Sequence, residues 1–472
     1  MPTLKLKNDI LSKNVAEKII SMKPPTILVV GDFMLDTYAT GSIDRLCPDY
    51  PVPVVKNITE VHEPGGAGHL AMSLRALGAN VICAGIIGND SSGHMLKDIL
   101  EKAGCSTAAL KTNKSYKTIH KRSLFGRFAG KQPVKIVRED VEKDIEHTNG
   151  ISHIPAGIVS QCHLVCIQDH NKGTIGNTTI CDLLKLGLPV IVDPSPKRVA
   201  SFYAGCDILT PNRNEAFSLT GEKDINTAAQ AMINAGIKNV IVTLDSDGSA
   251  WFDRTSSTYD SLDEIQVCDV TGAGDVFVAA TAIGYYNSFS AKEILRFANA
   301  VGSIKVSKPG SATVSTLEVY QSLYGKIIDS SVLGSYLAEI KNNKVVFANG
   351  CFDAGLTYAH IECLRFAKEQ GNILIVALND DESIRRLKGP CRPVLPLRDR
   401  MSIIAGLEFV DYVISFSEDT PLETIRIIKP DIIVKGGDYK PEHVIGFDLA
   451  KVVIFPYIKC KSTTDKINSA KE

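Results

Sequence analysis

The stretch EIQVCDVTGAGDVFVAATAIGYY (264–286) decides the architecture. EIQVCDV (264–270) reads as a strand and AGDVFVAATAIGYY (273–286) as a helix. Between them lies the turn Asp269-Val270-Thr271-Gly272-Ala273-Gly274-Asp275. The first amides of a helix have no intrahelical acceptor, so Gly272, Ala273 and Gly274 would point N–H groups at an anion. Phosphate charge would sit there during a transfer. Asp275 would stand beside that anion hole, in reach of a hydroxyl to be activated. The helix dipole alone also favours a carboxylate at this place, so the residues by themselves leave both roles open.

The same rhythm recurs upstream. TILVV (26–30) runs into Gly31-Asp32, and HLVCI (163–167) into Gln168-Asp169. PVIV (189–192) runs into Asp193-Pro194, and NVIVTL (239–244) into Asp245. Short Val- and Ile-rich runs read as strands buried on both faces, and their alternation with helices implies a parallel α/β sheet. Ligands of such sheets bind beyond the carboxyl ends of the strands, where these polar residues fall. A second Gly-rich turn, Glu63-Pro64-Gly65-Gly66-Ala67-Gly68-His69, precedes the helix AMSLRALG (71–78). It is either a tight strand-to-helix turn or a place where backbone approaches a ligand. Two regions break the rhythm. Tyr38 to Glu63, with PDYPVPVVKNITEV, and the basic stretch 117–139 read as extended strands of a small antiparallel lid.

After residue 315 the pattern resets. A helical stretch leads into a new strand series: KVVFAN (344–349), NILIVAL (372–378), DYVISF (411–416), DIIVKG (431–436) and KVVIF (451–455). The expected division is a first domain over 1–325, a linker over 326–342 and a second domain over 343–472.

Composition narrows the function classes. The 472 residues are 44% hydrophobic, which excludes a wholly disordered chain. Lys+Arg total 52 against Asp+Glu 53, so nothing here favours a nucleic-acid partner. The start, MPTLKLKNDILSKNVAEKII, does not read as a signal peptide, and no run reaches the ~18 apolar residues of a membrane span. A cytoplasmic protein without membrane contact is expected. The 12 cysteines are scattered without zinc or disulfide spacing and read mostly as buried thiols. No metal-ligand set stands out.

The GGAG turn (65–68) and the DVTGAGD turn (269–275) together resemble those of the ribokinase-like (PfkB) sugar kinases, over about residues 24–320. The resemblance implies a ribokinase-like domain with a parallel central sheet and a small β lid. It makes Asp275 the general base, taking the proton of a sugar hydroxyl that attacks the γ-phosphate of ATP, with Mg²⁺ present. Gly31 to Asp36, Arg45 to Val54, Asp169 to Gly173, Thr210 to Glu215 and Lys308 to Thr313 further resemble the heptose-phosphate kinases. By that analogy Asp32 and Asp36 bond sugar hydroxyls, with Gly65 and Gly66 beside them. Asn212, Arg213, Asn214 and Glu215 line the nucleotide and Mg²⁺ side. Lys172, Arg122 and Arg138 are candidates for a distal sugar phosphate, or solvated surface charges. His69 stands where that family usually shows Asn, which leaves the sugar open.

The second domain resembles the adenylyltransferase half of bifunctional heptose-phosphate kinase/adenylyltransferases, a cytidylyltransferase-like, Rossmann-like α/β group. The motifs are Asn349-Gly350-Cys351-Phe352-Asp353, Lys435-Gly436-Gly437 and Ser462-Thr463-Thr464, the nucleotide-binding candidates. That group carries an HxGH turn where this chain reads Thr357-Tyr358-Ala359-His360, so His360 and Lys435 are the catalytic candidates that remain. No general base is needed: an anionic sugar 1-phosphate attacks the α-phosphate of ATP. Three readings stay open for this half: an active transferase with a rearranged loop, a non-catalytic nucleotide-binding or dimerisation module, or a transferase for another sugar phosphate or nucleotide.

The whole resemblance implies phosphorylation of D-glycero-β-D-manno-heptose 7-phosphate at O1 and adenylyl transfer giving ADP-heptose, for lipopolysaccharide core synthesis. The alternative is a kinase for another phosphorylated sugar. A homodimer paired through the lid strands is expected from the resemblance.

Overall fold

The computed structural model describes residues 10–456 apart from 129–130, 143–153, 177, 262–266, 329–332, 334–336, 338–342, 354 and 438. The chain forms two compact units, Met1–Val319 and Tyr320–Glu472.

The first unit is built on a nine-stranded sheet of order β13-β12-β11-β10-β9-β8-β1-β4-β5. Its strands are β1 (Thr26–Gly31), β4 (Asn80–Gly88), β5 (Ser106–Asn113), β8 (Leu164–Gln168), β9 (Val190–Asp193), β10 (Ile208–Leu209), β11 (Asn239–Thr243), β12 (Ser249–Phe252) and β13 (Ser257–Asp260). All pairs are parallel except β11–β12 and β12–β13 at one edge. Ile27, Leu28, Val29 and Val30 of β1 are wholly buried, as a strand covered on both faces requires. The chain runs from β1 out to β4 and β5, then returns to lay β8 on the other side of β1. That reversal opens a crevice at the carboxyl ends of β1 and β8.

The lid is a four-stranded sheet of order β3-β2-β6-β7, with β2 (Phe33–Leu46), β3 (Pro53–Gly66), β6 (Ile119–Phe128) and β7 (Val134–Val141). It is mixed, not purely antiparallel: β2 and β6 run parallel. The chain between them crosses through β4, the helix Ser91–Lys102 and β5, and such a crossover is what a parallel pair needs.

The helix Ala273–Tyr286 is buried continuously from Val276 to Gly284, as its apolar sequence demands. It packs against the helices Ala67–Ala76 and Ala291–Val306. The two Gly-rich turns therefore meet at one end of a helix pair. The stretch 264–270 does not continue as a strand where it is described: Val267 to Val270 are irregular, and the amides of Cys268 and Asp269 both donate to the Val306 carbonyl, at 2.7 and 3.1 Å. The end of a helix takes the donors that a neighbouring strand would have taken.

The second unit has a fully parallel sheet of order β16-β15-β14-β17-β18. The strands are β14 (Val345–Gly350), β15 (Ile373–Asn379), β16 (Tyr412–Phe416), β17 (Ile432–Gly436) and β18 (Lys451–Phe455). Strand order reverses at β14, which places Asn349 and Gly350 at this sheet's own crevice. The described cysteines are free thiols; Cys83, Cys105, Cys162, Cys166 and Cys206 are buried, whereas Cys181, Cys268 and Cys391 face solvent. Among the described residues no helix is long and apolar enough to cross a membrane.

Candidate active sites

Gly272 caps the Ala273–Tyr286 helix in a left-handed conformation (φ 75°), which glycine adopts without strain. The amide of Ala273 is not available to a ligand, because it turns back 3.1 Å to the Val270 carbonyl. The amides of Gly272 and Gly274 have no hydrogen bond to a described residue. A Cβ at Gly274 would meet nothing within 4 Å, so there is room for a phosphoryl group. Asp275 follows directly in the first turn, its side chain 15% exposed.

Two carboxylates brace this turn against the loop 308–313. Asp269 accepts from Thr271 N at 2.9 Å and from Gly310 N at 3.0 Å. Burial opposes its charge, but these bonds prevail and hold its pKa below the ordinary value. Asp275 Oδ2 lies 2.8 Å from Nδ1 of His69, whose Nε2 lies 3.1 Å from the Ser311 carbonyl. From the lid, the Tyr38 hydroxyl lies 3.3 Å from Ser311 Oγ.

The GGAG turn shapes the opposite wall. A Cβ at Gly65 would fall 2.3 Å from Asp36 Oδ2, so glycine alone lets that carboxylate lie across the turn. Asp36 Oδ1 and Glu63 Oε2 are buried without a hydrogen-bond partner among the described residues. Burial pushes the Asp36 pKa up, while Lys121, Arg138 and His69 pull it down without cancelling the shift. Asp32 is spent otherwise. It is fully buried, and its oxygens accept from the amides of His170, Lys172 and Thr174, each at 3.0 Å. That carboxylate shapes the loop after β8.

Strand parity sorts the basic candidates. Asp36 is directly opposite Lys121, so both side chains stand on one face of the lid, and Arg138, opposite Ser123, shares it. Arg122 is opposite the buried Thr37 on the other face, where it pairs with Glu60 at 2.7 Å. Arg138 is held by Asp140 at 2.7 Å and Lys172 by Glu142 at 2.6 Å. Lys121, not singled out from sequence, is thus the lid cation opposite Asp36. His170 was missed as well: its Nε2 is buried and unpartnered among the described residues, and its ring lies 3.1 Å from where a Cβ on Gly66 would stand.

On the nucleotide side, Asn212 and Glu215 form a capping box for the helix Arg213–Thr220. Glu215 N donates to Asn212 Oδ1 at 2.9 Å, and Asn212 N to Glu215 Oε2 at 2.8 Å. Arg213 reaches Asp247 at 3.2 Å, and Asn214 is exposed. Burial, then Glu215 and Asp275, push the Asp193 pKa well above its usual value. A cation would relieve that crowding of acids. Among the described residues no three His, Cys, Asp or Glu side chains form a metal cage. The arrangement fits Mg²⁺, which binds through one or two carboxylates and the phosphates of its nucleotide.

In the second unit, Lys435 at the end of β17 reaches Asn349 Oδ1 at the end of β14, 3.2 Å away. Burial pulls its pKa down, only partly offset by Cys351 and Cys363. A Cβ at Gly436 would stand 3.1 Å from Cys363 Sγ, and Gly437 has φ 124°. Thr357 and His360 form a capping box on the helix Tyr358–Glu369. Thr357 N donates to His360 Nδ1 at 3.2 Å, and His360 N to Thr357 Oγ1 at 3.3 Å. Phe352, at φ 47°, sets its ring edge-on to the imidazole, with centroids 5.2 Å apart. Asp353 is buried and paired with Arg392 at 2.6 Å, so it organises the loop. Ser462, Thr463 and Thr464 lie outside the described residues.

Residues 25–318 match the family model of pfkB family carbohydrate kinases, and residues 347–464 the cytidylyltransferase-like model. The bifunctional protein HldE of Helicobacter hepaticus is 36% identical, over 95% of this chain and 97% of its own. The HldE of Campylobacter curvus is 35% identical, over 95% and 99%. Among solved structures, Arabidopsis thaliana ribokinase complexed with ribose and ATP gives a TM-score of 0.50 at 24% identity, over 64% of this chain and 99% of its own. Phosphofructokinase-2 of Escherichia coli gives 0.51 at 20%, over 63% and 98%. These two likenesses concern the fold of the first unit.

Proposed function

This chain belongs to the bifunctional HldE family, an enzyme with a carbohydrate kinase half and a nucleotidyltransferase half, and from that premise we propose the two reactions it performs. The first half moves the γ-phosphoryl group of ATP to O1 of D-glycero-β-D-manno-heptose 7-phosphate. The second joins heptose 1-phosphate to the adenylyl group of ATP, releasing pyrophosphate and giving ADP-heptose for lipopolysaccharide core synthesis. A separate phosphatase must remove the 7-phosphate in between. The enzyme works in the cytoplasm as a homodimer. Val137, exposed on the lid face opposite Asp36, supports pairing through that face.

One observation carries the kinase reading: Asp275 stands beside the Gly272 and Gly274 amides, with the unpartnered oxygen of Asp36 on the opposite wall. Asp36 orients the sugar. Asp275 takes the O1 proton as the new O–P bond forms and the bond from the γ-phosphorus to the bridging oxygen of ADP breaks. The two amides gather the charge of the transferring group. Bound Mg²⁺, held by Glu215 and the nucleotide, would neutralise charge on the β- and γ-phosphates. In the second half Lys435 and the start of the Tyr358–Glu369 helix stabilise charge at the α-phosphate, while the capping bond occupies His360 Nδ1.

Incubating the chain with ATP, Mg²⁺ and heptose 7-phosphate should give the 1,7-bisphosphate and ADP. Heptose 1-phosphate with ATP should give ADP-heptose and pyrophosphate. Absence of the bisphosphate, with turnover of another sugar phosphate, would reassign the sugar.

Lys121 and Arg138 hold the distal phosphate from the lid face that carries Asp36. Lys121→Ala should raise KM for the phosphorylated sugar about 10–10²-fold, the worth of a charge-assisted hydrogen bond. Arg122→Ala, on the opposite face, should change it less than about threefold, since exposed pairs contribute little. Steady-state kinetics at saturating ATP distinguish the two. The reverse order would place the phosphate on the other face of the lid.

A further inference from the structure

His69 is 4% exposed at the head of the Ala67–Ala76 helix. Its two ring nitrogens face two acceptors, the Asp275 carboxylate at 2.8 Å and the Ser311 carbonyl at 3.1 Å. A neutral imidazole has one N–H and would aim a lone pair at one of them; an imidazolium donates to both. The ring also lies directly under the anion-binding turn. A Cβ on Gly272 would come within 2.3 Å of its Cε1, so the glycine is required by the ring as well as by its backbone angle.

We propose that His69 is a positioning residue that acts as an imidazolium, tethering the Asp275 carboxylate to the 308–313 loop and placing a positive charge beneath the phosphoryl-binding turn. The proposal rests on the reading of Asp275 as general base. The proton of the sugar hydroxyl passes to Asp275, and His69 keeps both of its own. The pair is then neutral before transfer and cationic after it. An Asn at this place, which carries no charge, would leave the pair anionic beside incoming phosphates.

The charged groups that face the ring are Asp275 from its helix, Lys305 from the Ala291–Val306 helix and Asp36 from β2. Burial works against the ring's charge, and so does Lys305. The Asp275 carboxylate and Ser311 carbonyl outweigh them, and the pKa is raised above the ordinary value. Lys305 Nζ is itself buried without a hydrogen-bond partner among the described residues, and burial pulls its pKa down, which weakens that opposition. A raised histidine pKa means that the tether is present at lower pH and lost as pH rises through the raised value. Above it one of the two acceptors must let go.

Two measurements on the full chain test this. In ¹⁵N-histidine NMR without substrates, the resonances that vanish in His69→Asn should show both ring nitrogens protonated at pH 6.5. Their midpoint should lie above the ordinary value and fall in Asp275→Asn. A singly protonated ring at that pH, or a midpoint unmoved by Asp275→Asn, overturns the proposal. In kinase assays the alkaline limb of the kcat profile should disappear in His69→Asn and His69→Gln. His69→Ala should lose about 10–10²-fold in kcat with KM for ATP unchanged, as expected for a misplaced base. Superimposable profiles for wild type and His69→Asn would also overturn it. If the chain phosphorylates no sugar at all, the base assignment fails, while the NMR titration still decides the charge of the ring.

Discussion

Asp275→Asn is expected to remove about 10²–10⁴-fold of kinase turnover, the range of a positioned general base, and to leave ATP affinity and adenylyl transfer as they are. The amide is nearly isosteric with the carboxylate. Its N–H can donate to the Nδ1 lone pair of a neutral His69, 2.8 Å away in the native chain, while Nε2–H keeps the Ser311 carbonyl, so the loop brace survives. It cannot take a proton from an attacking hydroxyl. Losing a carboxylate from the first turn of a helix costs about 0.3–1 kcal/mol, and buried His69 can shed its proton in place of remaining an unpaired charge, so the unit stays folded. ADP release under single-turnover conditions, beside ATP binding by calorimetry, separates chemistry from affinity. Unchanged turnover would show that another group removes the proton.

Lys435→Met should lower adenylyl transfer by about 10²–10³-fold, the usual cost of one preorganised donor at a site of developing charge, with kinase turnover untouched. Methionine fills the stem's space but offers no ammonium. The expected loss is large because the first histidine place of the HxGH turn holds Thr357, and His360 Nδ1 is engaged by the helix cap. Lys435 then carries much of the charge stabilisation alone. Burial lowers its pKa, so its charge is present at low pH and lost as pH rises through a value below that of an ordinary lysine. Transfer should therefore decline on the alkaline side, and Lys435→Arg should move that limb upward. Pyrophosphate release from ATP and heptose 1-phosphate measures both effects. An undiminished rate in Lys435→Met would place the cation elsewhere.

Much of the scaffold could be read from apolar runs. The stretches at 26–30, 163–167 and 239–244 form buried parallel strands within a residue of where their Val and Ile residues place them. Continuous apolar runs have few other stable homes. The segment 264–270 misleads because its alternation suits a strand, yet its described part lies beside a helix end that takes its amides. Side-chain roles were less legible, for identifiable reasons. Asp32 and Asp36 look alike in sequence, but three loop amides converge on the first and none on the second. Arg122 and Lys121 are neighbours, and only strand register shows which faces Asp36. The backward bond of Ala273 follows from the left-handed angle at Gly272, which sequence permits without requiring. The capping boxes Asn212-x-x-Glu215 and Thr357-x-x-His360 were visible as spacings, and reading them so would have shown that those side chains already had partners.

Ser311 receives the Tyr38 hydroxyl from the lid on its side chain and the His69 ring on its carbonyl. One residue thus joins the lid to the carboxylate of Asp275. A lid displaced from Ser311 would leave that residue one of its two attachments, so the position of the lid and the aim of Asp275 are mechanically linked.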